Sequence, residues 1–192
     1  MHAGVDELIA MKVQGVTPEY IRDLHAAGVT PDTNELIGMK VQGLDPNYVR
    51  EIRAAGLNPD LDDLIGMKVQ GVTPEYVRAL KELGVTLDAN EIIGMRVQGV
   101  TPEYIREIRA LGLKPDSEEI GGMRVQGVTP EYVKALQATG LKFDVDELIG
   151  AKVQGITPEF VEKARKHGFE NLSLEKLIQL RHLGVIDKEG EI

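Results

Sequence analysis

The sequence predicts an all-α fold, an α-solenoid of helical hairpins with about 13 short helices in 28-residue repeats. Three observations predict it: one segment, VQGVTPEY or a close variant, recurs at a fixed spacing, every copy carries start and stop signals for two helices, and apolar residues follow the helical period. The six copies begin at Val13, Val41, Val69, Val97, Val125 and Val153. The period runs without a linker, so we predict a single repeat domain over residues 1–192, with six helix-turn-helix units, a C-terminal capping half-repeat at about 169–186 and a short tail.

The first helix of each repeat has a recognisable beginning and end. Asp32 and Glu35 match a capping box, in which each side chain accepts a hydrogen bond from the other residue's backbone N–H. Gly43 closes this helix, since glycine readily adopts the left-handed conformation after a helix end. The capping pair recurs as Asp88/Glu91, Asp116/Glu119 and Asp144/Glu147, with Asp60/Asp63 as a shorter version.

The second helix of each repeat begins at a Thr-Pro or Asp-Pro pair and ends at a glycine such as Gly56. Thr and Asp are good N-caps, and proline suits the first helical position because its missing N–H has no partner there. The pairs are Thr17-Pro18, Asp45-Pro46, Thr73-Pro74, Thr101-Pro102, Thr129-Pro130 and Thr157-Pro158. Helices of about ten residues are marginal alone in water, so we expect their stability to come from stacking between neighbouring repeats.

The two helices differ in their apolar faces. In the second, Tyr20, Ile21, Leu24 and Ala27 form one apolar arc. The first has two apolar flanks, Leu8 with Met11 and Ile9 with Val13, which predicts neighbours on both sides. A glycine also recurs within the first helix, at about 1 kcal/mol cost relative to alanine. We interpret it as a point of close helix approach, with a copied accident as the alternative. These glycines are Gly38, Gly66, Gly94, Gly122 and Gly150.

The C-terminal end departs from the repeat. A last helix is predicted over about Leu174 to Leu183, after a one-residue insertion and with Ser173 in place of the usual aspartate. The exposed end of a stack needs a polar face. The residues expected to supply it are Lys176, Gln179, Arg181 and His182, and we expect the tail DKEGEI to be frayed.

The repeated motif also resembles a known bacterial repeat. Gly-Val-Thr-Pro-Glu-Tyr, with Asp-x-x-Glu-Leu-Ile before the next Lys-Val-Gln-Gly, is similar to tandem short-helix units that follow the membrane metallopeptidase region of some BlaR-type sensor proteins. In that family a histidine often precedes the glycine, whereas this chain has glutamine there. The HExxH motif is absent, so the peptidase activity does not carry over. The resemblance covers nearly the whole chain and implies an all-helical repeat domain of undefined role. The uniform copies also suit recent duplication, or a designed or consensus-derived array.

Composition excludes several classes of partner. The chain has 42% hydrophobic and 28% charged residues, which is ordinary for a folded, soluble protein. Its net charge of −9 argues against nucleic acid as a partner, since binding to phosphates needs positive surface. No apolar run is long enough to cross a membrane, and no signal peptide is visible. The sequence does not indicate a cellular compartment.

Repetition turns two polar positions of the first helix into rows, which form the candidate partner-binding site. The basic row and the glutamine row share the same helices and, if those helices line the concave side, would present cations and amides to an acidic extended peptide. The alternatives are lysine and arginine heads in solvent above apolar stems, and glutamine amides that satisfy free carbonyls at the helix end. The candidate residues are Lys40, Gln42, Lys68, Gln70, Arg96, Gln98, Arg124 and Gln126.

Two further rows lie on the second helices. An aromatic row shares the apolar arc, which favours packing between repeats over a partner groove. Basic residues such as Arg22 follow Glu19 and its equivalents by three positions, which is typical of exposed ion pairs, and this row breaks at Glu162. The aromatic residues are Tyr20, Tyr48, Tyr76, Tyr104, Tyr132 and Phe160.

No enzyme signature emerges. The four histidines are scattered and lack metal-ligand spacing, there is no cysteine, and the two serines fit helix-start roles. We therefore expect no enzyme, no cofactor and no metal. The predicted function is a non-catalytic scaffold that binds an extended peptide or protein segment on its concave face. The alternatives are a ligand-free array, natural or consensus-like, and self-assembly through the stack ends. We expect the chain to be a monomer or a weak homo-oligomer through its repeat ends. The histidines are His2, His25, His167 and His182.

Overall fold

The computed structural model describes residues 4–186 of the chain, and this part contains thirteen helices and no strand. The all-α repeat class is therefore confirmed. Each helix has nine residues, except the last, which has ten. The first helices of the repeats are α1 (Val5–Val13), α3 (Thr33–Val41), α5 (Leu61–Val69), α7 (Ala89–Val97), α9 (Ser117–Val125), α11 (Val145–Val153) and the capping helix α13 (Leu174–Leu183). The second helices are α2 (Pro18–Ala26), α4 (Pro46–Ala54), α6 (Pro74–Glu82), α8 (Pro102–Ala110), α10 (Pro130–Ala138) and α12 (Pro158–Lys166).

The predicted start signals act as expected. Asp32 accepts a hydrogen bond from the Glu35 N–H at 2.9 Å, and Glu35 accepts one from the Asp32 N–H at 2.6 Å. At Asp60 only half of the box is present, because the Asp63 N–H donates to Asp60 but the shorter Asp63 side chain does not accept a bond from the Asp60 N–H. Each second helix has proline in its first turn and a Thr or Asp N-cap, such as Thr17, which accepts from the Tyr20 N–H at 3.2 Å.

The predicted stop signals also hold. Gly43 after α3 has φ +66° and Gly56 after α4 has φ +94°, a backbone conformation that residues with a side chain rarely adopt. The backbone N–H groups of the last helical residues and these glycines bond back to the preceding turn, for example from Gly43 to the Lys40 carbonyl at 3.1 Å. Each helix therefore ends where the sequence places its glycine.

The chain divides into two compact units, Met1–Val97 and Gln98–Ile192. In the first unit α1 packs on α3, α5 on α7, and α4 on both α2 and α6. In the second unit α8 packs on α10, and α11 lies against both α9 and α13. The core of each unit is a ladder of aliphatic and methionine side chains with almost no exposed surface: Leu36, Met39, Leu64 and Met67 in the first unit, and Ile120, Met123, Leu148 and Ala151 in the second.

The prediction that both apolar flanks of the first helix have neighbours is confirmed only in part. The Leu/Met flank is buried. On the other flank the isoleucine has a neighbour, as Ile93 of α7 lies against Gly66 of α5, whereas the valine, such as Val41, is 58% exposed. The helical period explains the difference, because at 100° per residue Val41 lies roughly opposite the arc centred on Leu36 and Met39. The second apolar flank therefore packs on a neighbouring helix at its isoleucine and leaves its valine exposed.

The interpretation of the mid-helix glycines as points of close helix approach holds only in part. A Cβ added at Gly66 would lie 3.2 Å from Ile93 Cδ1, which is tight, but that atom ends a flexible side chain. Gly122 and Gly150 leave ordinary contact distances of 3.6 and 3.5 Å to an isoleucine. At Gly38 and Gly94 no heavy atom of the described protein beyond the local helix lies within 4 Å. Internal packing therefore does not require glycine at these two positions.

The capping half-repeat follows the prediction. Helix α13 begins after Ser173, whose hydroxyl accepts from the Lys176 N–H at 3.2 Å, and it ends before Gly184, which has φ +62°. Its predicted polar residues, Lys176, Gln179, Arg181 and His182, are all exposed. The tail predicted to be frayed, from residue 187 onward, lies outside the described residues, as does His2.

Candidate functional site

The basic row of the first helices lies over the aromatic row of the second helices. Lys40 Nζ is 4.5 Å from the ring centroid of Tyr20, and Lys68 Nζ is 4.9 Å from that of Tyr48. This is cation–π geometry, in which the ring face attracts the charge. The same contact recurs in the first unit as Arg96 over Tyr76 at 5.4 Å, and in the second unit as Arg124 over Tyr104, Lys152 over Tyr132 and Arg181 over Phe160, at 5.3, 4.5 and 5.1 Å. Aromatic rings of the protein therefore fix the positions of these basic groups. The alternative, in which the basic groups are held only by solvent, does not describe them.

Four of these tyrosines also bond to the next repeat through the hydroxyl group. The Tyr20 hydroxyl donates to the Leu44 carbonyl at 2.6 Å, and the Tyr48 hydroxyl donates to the Val72 carbonyl at 2.8 Å. In the second unit, the Tyr104 hydroxyl donates to the Val128 carbonyl at 2.8 Å and the Tyr132 hydroxyl to the Ile156 carbonyl at 2.7 Å. These contacts confirm the prediction that the aromatic row packs between repeats.

Burial changes the acidity of these hydroxyls. Desolvation raises the pKa of Tyr48 to about 12 from 10.0, because the charged phenolate loses its water. The same cause raises the pKa to about 12 for Tyr20, Tyr76, Tyr104 and Tyr132. The tyrosines are therefore neutral hydrogen-bond donors at neutral pH, and nothing in the row is tuned toward acid–base chemistry there.

One sequence signal could have revealed this arrangement. In the repeats a cation follows each tyrosine by 20 residues, as Lys40 follows Tyr20 and Lys68 follows Tyr48. After Phe160 the one-residue insertion makes the interval 21, and Arg181 still lies over that ring. The constant interval marks a pair rather than two independent rows.

Sequence reasoning missed a third link between repeats, on the second helices. Arg53 donates to the Ala27 carbonyl at the end of the preceding second helix. In the second unit, Gln137 donates to the Leu111 carbonyl at 2.9 Å and Arg165 to the Thr139 carbonyl at 2.6 Å. These side chains satisfy carbonyl groups that a helix end leaves without an intrahelical partner. The sequence pattern that could have predicted these links is a long side chain with a hydrogen-bond donor, which recurs in the last turn of the second helix.

The candidate glutamine side chains are exposed to solvent. Gln42, Gln70 and Gln126 are exposed, and their backbone N–H groups close the helix, as in the 3.0 Å bond from Gln42 to the Gly38 carbonyl. Their side-chain amides make no hydrogen bond to another described residue, so the interpretation that the amide caps the helix is wrong. Gln98 differs, because its side-chain amide lies against Gly121, in the space that a Cβ atom at residue 121 would occupy.

A surface missed by the sequence analysis adjoins these polar rows. The valine between each basic residue and each glutamine is exposed by 54–74%, although valine is usually buried. We call these side chains the valine row: Val13, Val41, Val69 and Val97 in the first unit, and Val125 and Val153 in the second. Because an exposed valine recurs at the same position in each repeat, the valine row is a candidate binding surface.

The outward face of the second helices carries the predicted ion pairs. Arg22 pairs with Glu19 at 2.7 Å, and the equivalent pairs at Arg78 and Arg106 measure 2.5 and 2.9 Å. At the break in the row, Glu162 instead pairs with Arg165 at 2.6 Å. The solvated-face prediction is confirmed, and such exposed pairs contribute about 0–1 kcal/mol each.

Other kinds of site find little support in the part of the chain that is described. Residues 4–186 contain no cluster of three or more side chains able to hold a metal ion. Within the same range, every helix is too short to cross a bilayer as an apolar span. Three clefts in this range have volumes of about 230–330 Å³, and one of them lies between α8 and α10 beside Glu107, Pro130 and Lys134.

Comparisons of this chain with protein-family models, with curated proteins and with solved structures find no match.

Proposed function

We propose that this chain is a non-catalytic helical-repeat scaffold that binds an extended peptide or protein segment on the outward face of its first helices. The exposed valine row carries the proposal. It supplies apolar contact area, while the neighbouring glutamine amides supply hydrogen-bond donors and acceptors for a backbone.

The basic residues of the candidate site take a defined part in this proposal. Lys40, Lys68 and Arg96 are held over tyrosine rings, so a partner's carboxylate meets cations whose side chains are already ordered. Preorganisation reduces the entropy lost on binding. The cations favour acidic segments, while the net charge of −9 disfavours nucleic acid.

A peptide-library selection tests the proposal. Selected peptides are expected to lose binding to a Val41→Ser/Val69→Ser variant and to a Gln42→Ala/Gln70→Ala variant. Both sets of positions are exposed, so we expect these variants to melt close to the unchanged protein. Peptides that bind both variants as well as the original chain contradict the proposal, and a selection that yields no peptide supports a ligand-free array.

One observation favours a second candidate function, self-association through a stack end. Helix α1 has no buried residue, and Val5 and Leu8 are 74% and 55% exposed, whereas the equivalent Leu36 is fully buried. Light scattering over a range of concentrations tests this. A mass that rises with concentration and stays monomeric in a Leu8→Glu variant supports association through α1, and a constant monomer mass rules it out.

A further inference from the structure

The junction between two adjacent repeats has a fixed set of contacts. In the first unit, Leu36 of α3 is fully buried. Lys40, in the next turn of α3, lies 4.5 Å from the ring centroid of Tyr20, and the Tyr20 hydroxyl donates to the Leu44 carbonyl at 2.6 Å. Leu24, one turn after Tyr20 on the same face of α2, is also fully buried. A second helix therefore contributes a tyrosine and an aliphatic residue to its junction with the following repeat.

The same three groups recur one repeat earlier, in α1 and the turn after it, without these contacts. Leu8 is 55% exposed. Lys12 is exposed, and no aromatic ring of residues 4–186 lies beneath it. The Val16 carbonyl accepts no hydrogen bond from the same part of the chain. We call these three groups the α1 face.

One pair of side chains complements the whole α1 face. A tyrosine ring attracts the Lys12 ammonium group, and its hydroxyl can donate to the Val16 carbonyl. An aliphatic residue one turn later adds apolar contact for Leu8. Phenylalanine satisfies the cation alone, as Phe160 does under Arg181, because it has no donor. The α1 face therefore fits an amphipathic helix of the same kind as α2.

A second copy of this chain does not offer such a helix. Each tyrosine ring of the described chain already lies under a cation of the repeat that follows it. A folded copy could present a tyrosine to the α1 face of another only by breaking one of its own junctions. The occupant that fits is a helix of a different polypeptide.

We infer that the α1 face binds an amphipathic helix of a partner protein that carries a tyrosine and, one turn later, an aliphatic residue. This inference goes beyond the proposed function, because it concerns α1 and the turn after it and not the valine row.

Fluorescence anisotropy on the full chain tests the inference, with a labelled peptide of residues 32–57 as the probe. This peptide includes α3 and α4, so it carries Tyr48 and, one turn later, Ile52. We expect it to bind. The Tyr48→Phe probe should bind about fivefold more weakly, because it lacks the hydroxyl donor. The Tyr48→Ala probe, which also loses the ring, should bind about tenfold more weakly or worse.

Protein variants locate the binding. Leu8→Glu is expected to weaken the probe by about tenfold or more, because it places a charge in the apolar contact. The control Leu183→Glu makes the same change at a leucine of α13 that is 74% exposed, and it should leave affinity unchanged. Val41→Ser/Val69→Ser should also leave affinity unchanged, since the valine row is separate from the α1 face. Melting curves establish that each variant is folded.

A double-mutant cycle tests the cation. Lys12→Met in the chain should weaken the tyrosine probe about threefold, because the ring loses its charge partner. With a Tyr48→Leu probe the same variant should have little effect, so the two changes are coupled. Equal losses with both probes would contradict the contact between Lys12 and the ring.

Three results would overturn the inference. The first is equal binding of the tyrosine and alanine probes, and the second is unchanged affinity in Leu8→Glu. The third, measured by light scattering, is a dimer that Leu8→Glu abolishes and that the probe does not displace, which would assign the α1 face to a second copy. None of these results bears on the scaffold proposal, which depends on the valine row.

Discussion

At the scale of single residues, the tyrosine of the second helix joins adjacent repeats. Tyr48 is 7% exposed, its ring lies under Lys68, and its hydroxyl donates to the Val72 carbonyl. One side chain therefore buries apolar area, orders a cation and satisfies a backbone acceptor of the following turn. Phe160 retains the first two of these contacts, because Arg181 lies over its ring.

Removing the hydroxyl group of Tyr48 should lower the stability of the protein by a measurable amount. Tyr48→Phe deletes the 2.8 Å bond to Val72 and leaves a carbonyl without its partner. We expect the free energy of unfolding to fall by about 1 kcal/mol, measured by urea denaturation. Arg50→Ala is the control, since it removes an exposed bond on the same helix and is expected to cost about 0.5 kcal/mol or less. Equal losses in both variants would contradict the role given to the hydroxyl.

The raised tyrosine pKa values predict an alkaline transition. The folded protein holds these protons to about pH 12, whereas unfolded tyrosine releases them near 10.0. A pKa that is higher in the folded state gives stability that is fully present below pH 10 and is lost as the pH rises toward 12.

Circular dichroism and phenolate absorbance, followed together against pH, measure this transition. We expect helicity to fall and phenolate to appear together between about pH 10 and 12. Phenolate appearing near pH 10 with unchanged helicity would contradict the burial of the tyrosine row.

At the scale of helices, the mid-helix glycines offer a paired test. At Gly38 an added methyl group meets nothing, so Gly38→Ala should raise the free energy of unfolding by about 1 kcal/mol through better helix propensity. At Gly66 the methyl group lies 3.2 Å from Ile93, so the gain from Gly66→Ala should be smaller. Thermal melting of the two variants measures the difference, and Gly66→Leu should lose at least about 1 kcal/mol by overpacking. A larger gain at Gly66 than at Gly38 would contradict this description.

The helices could be predicted from the sequence because their signals are local. Asp32 with Glu35, Pro46 and Gly43 act within one turn of the chain, and each occupies its predicted position in a helix. The outward direction of Val41 could not be predicted in this way, because an apolar residue in a helical period does not report whether a neighbour covers it.

The candidate site was predictable only in part, for the same physical reason. The positions of Lys40 and Gln42 on the first helix followed from the repeat. The ring beneath Lys40 belongs to the preceding repeat, and periodicity within one repeat does not reveal a contact between repeats.

At the scale of the whole molecule, stacking of neighbours predicts local rather than global responses to damage. Leu36 is fully buried in the first unit, so Leu36→Ala should cost about 2–5 kcal/mol there. Native-state hydrogen exchange should show the greatest loss of protection in α1, α3 and α5, with α10 to α12 nearly unchanged. An equal loss in all helices would indicate one cooperative core instead.

The proposed scaffold function assigns binding to the valine row with its neighbouring amides and cations. The tyrosines are assigned to packing between repeats. The two assignments can be distinguished because Val41 is 58% exposed while Tyr48 is 7% exposed.

Methyl NMR of the valine-labelled chain, titrated with the tightest selected peptide, tests this account most directly. We predict that the methyl signals of Val41, Val69 and Val97 shift progressively to saturation, while those of the buried Val49 and Val77 stay in place. Shifts confined to the buried valines, or no saturable shift in the valine row, would contradict the claim that the outward face of the first helices is the binding surface.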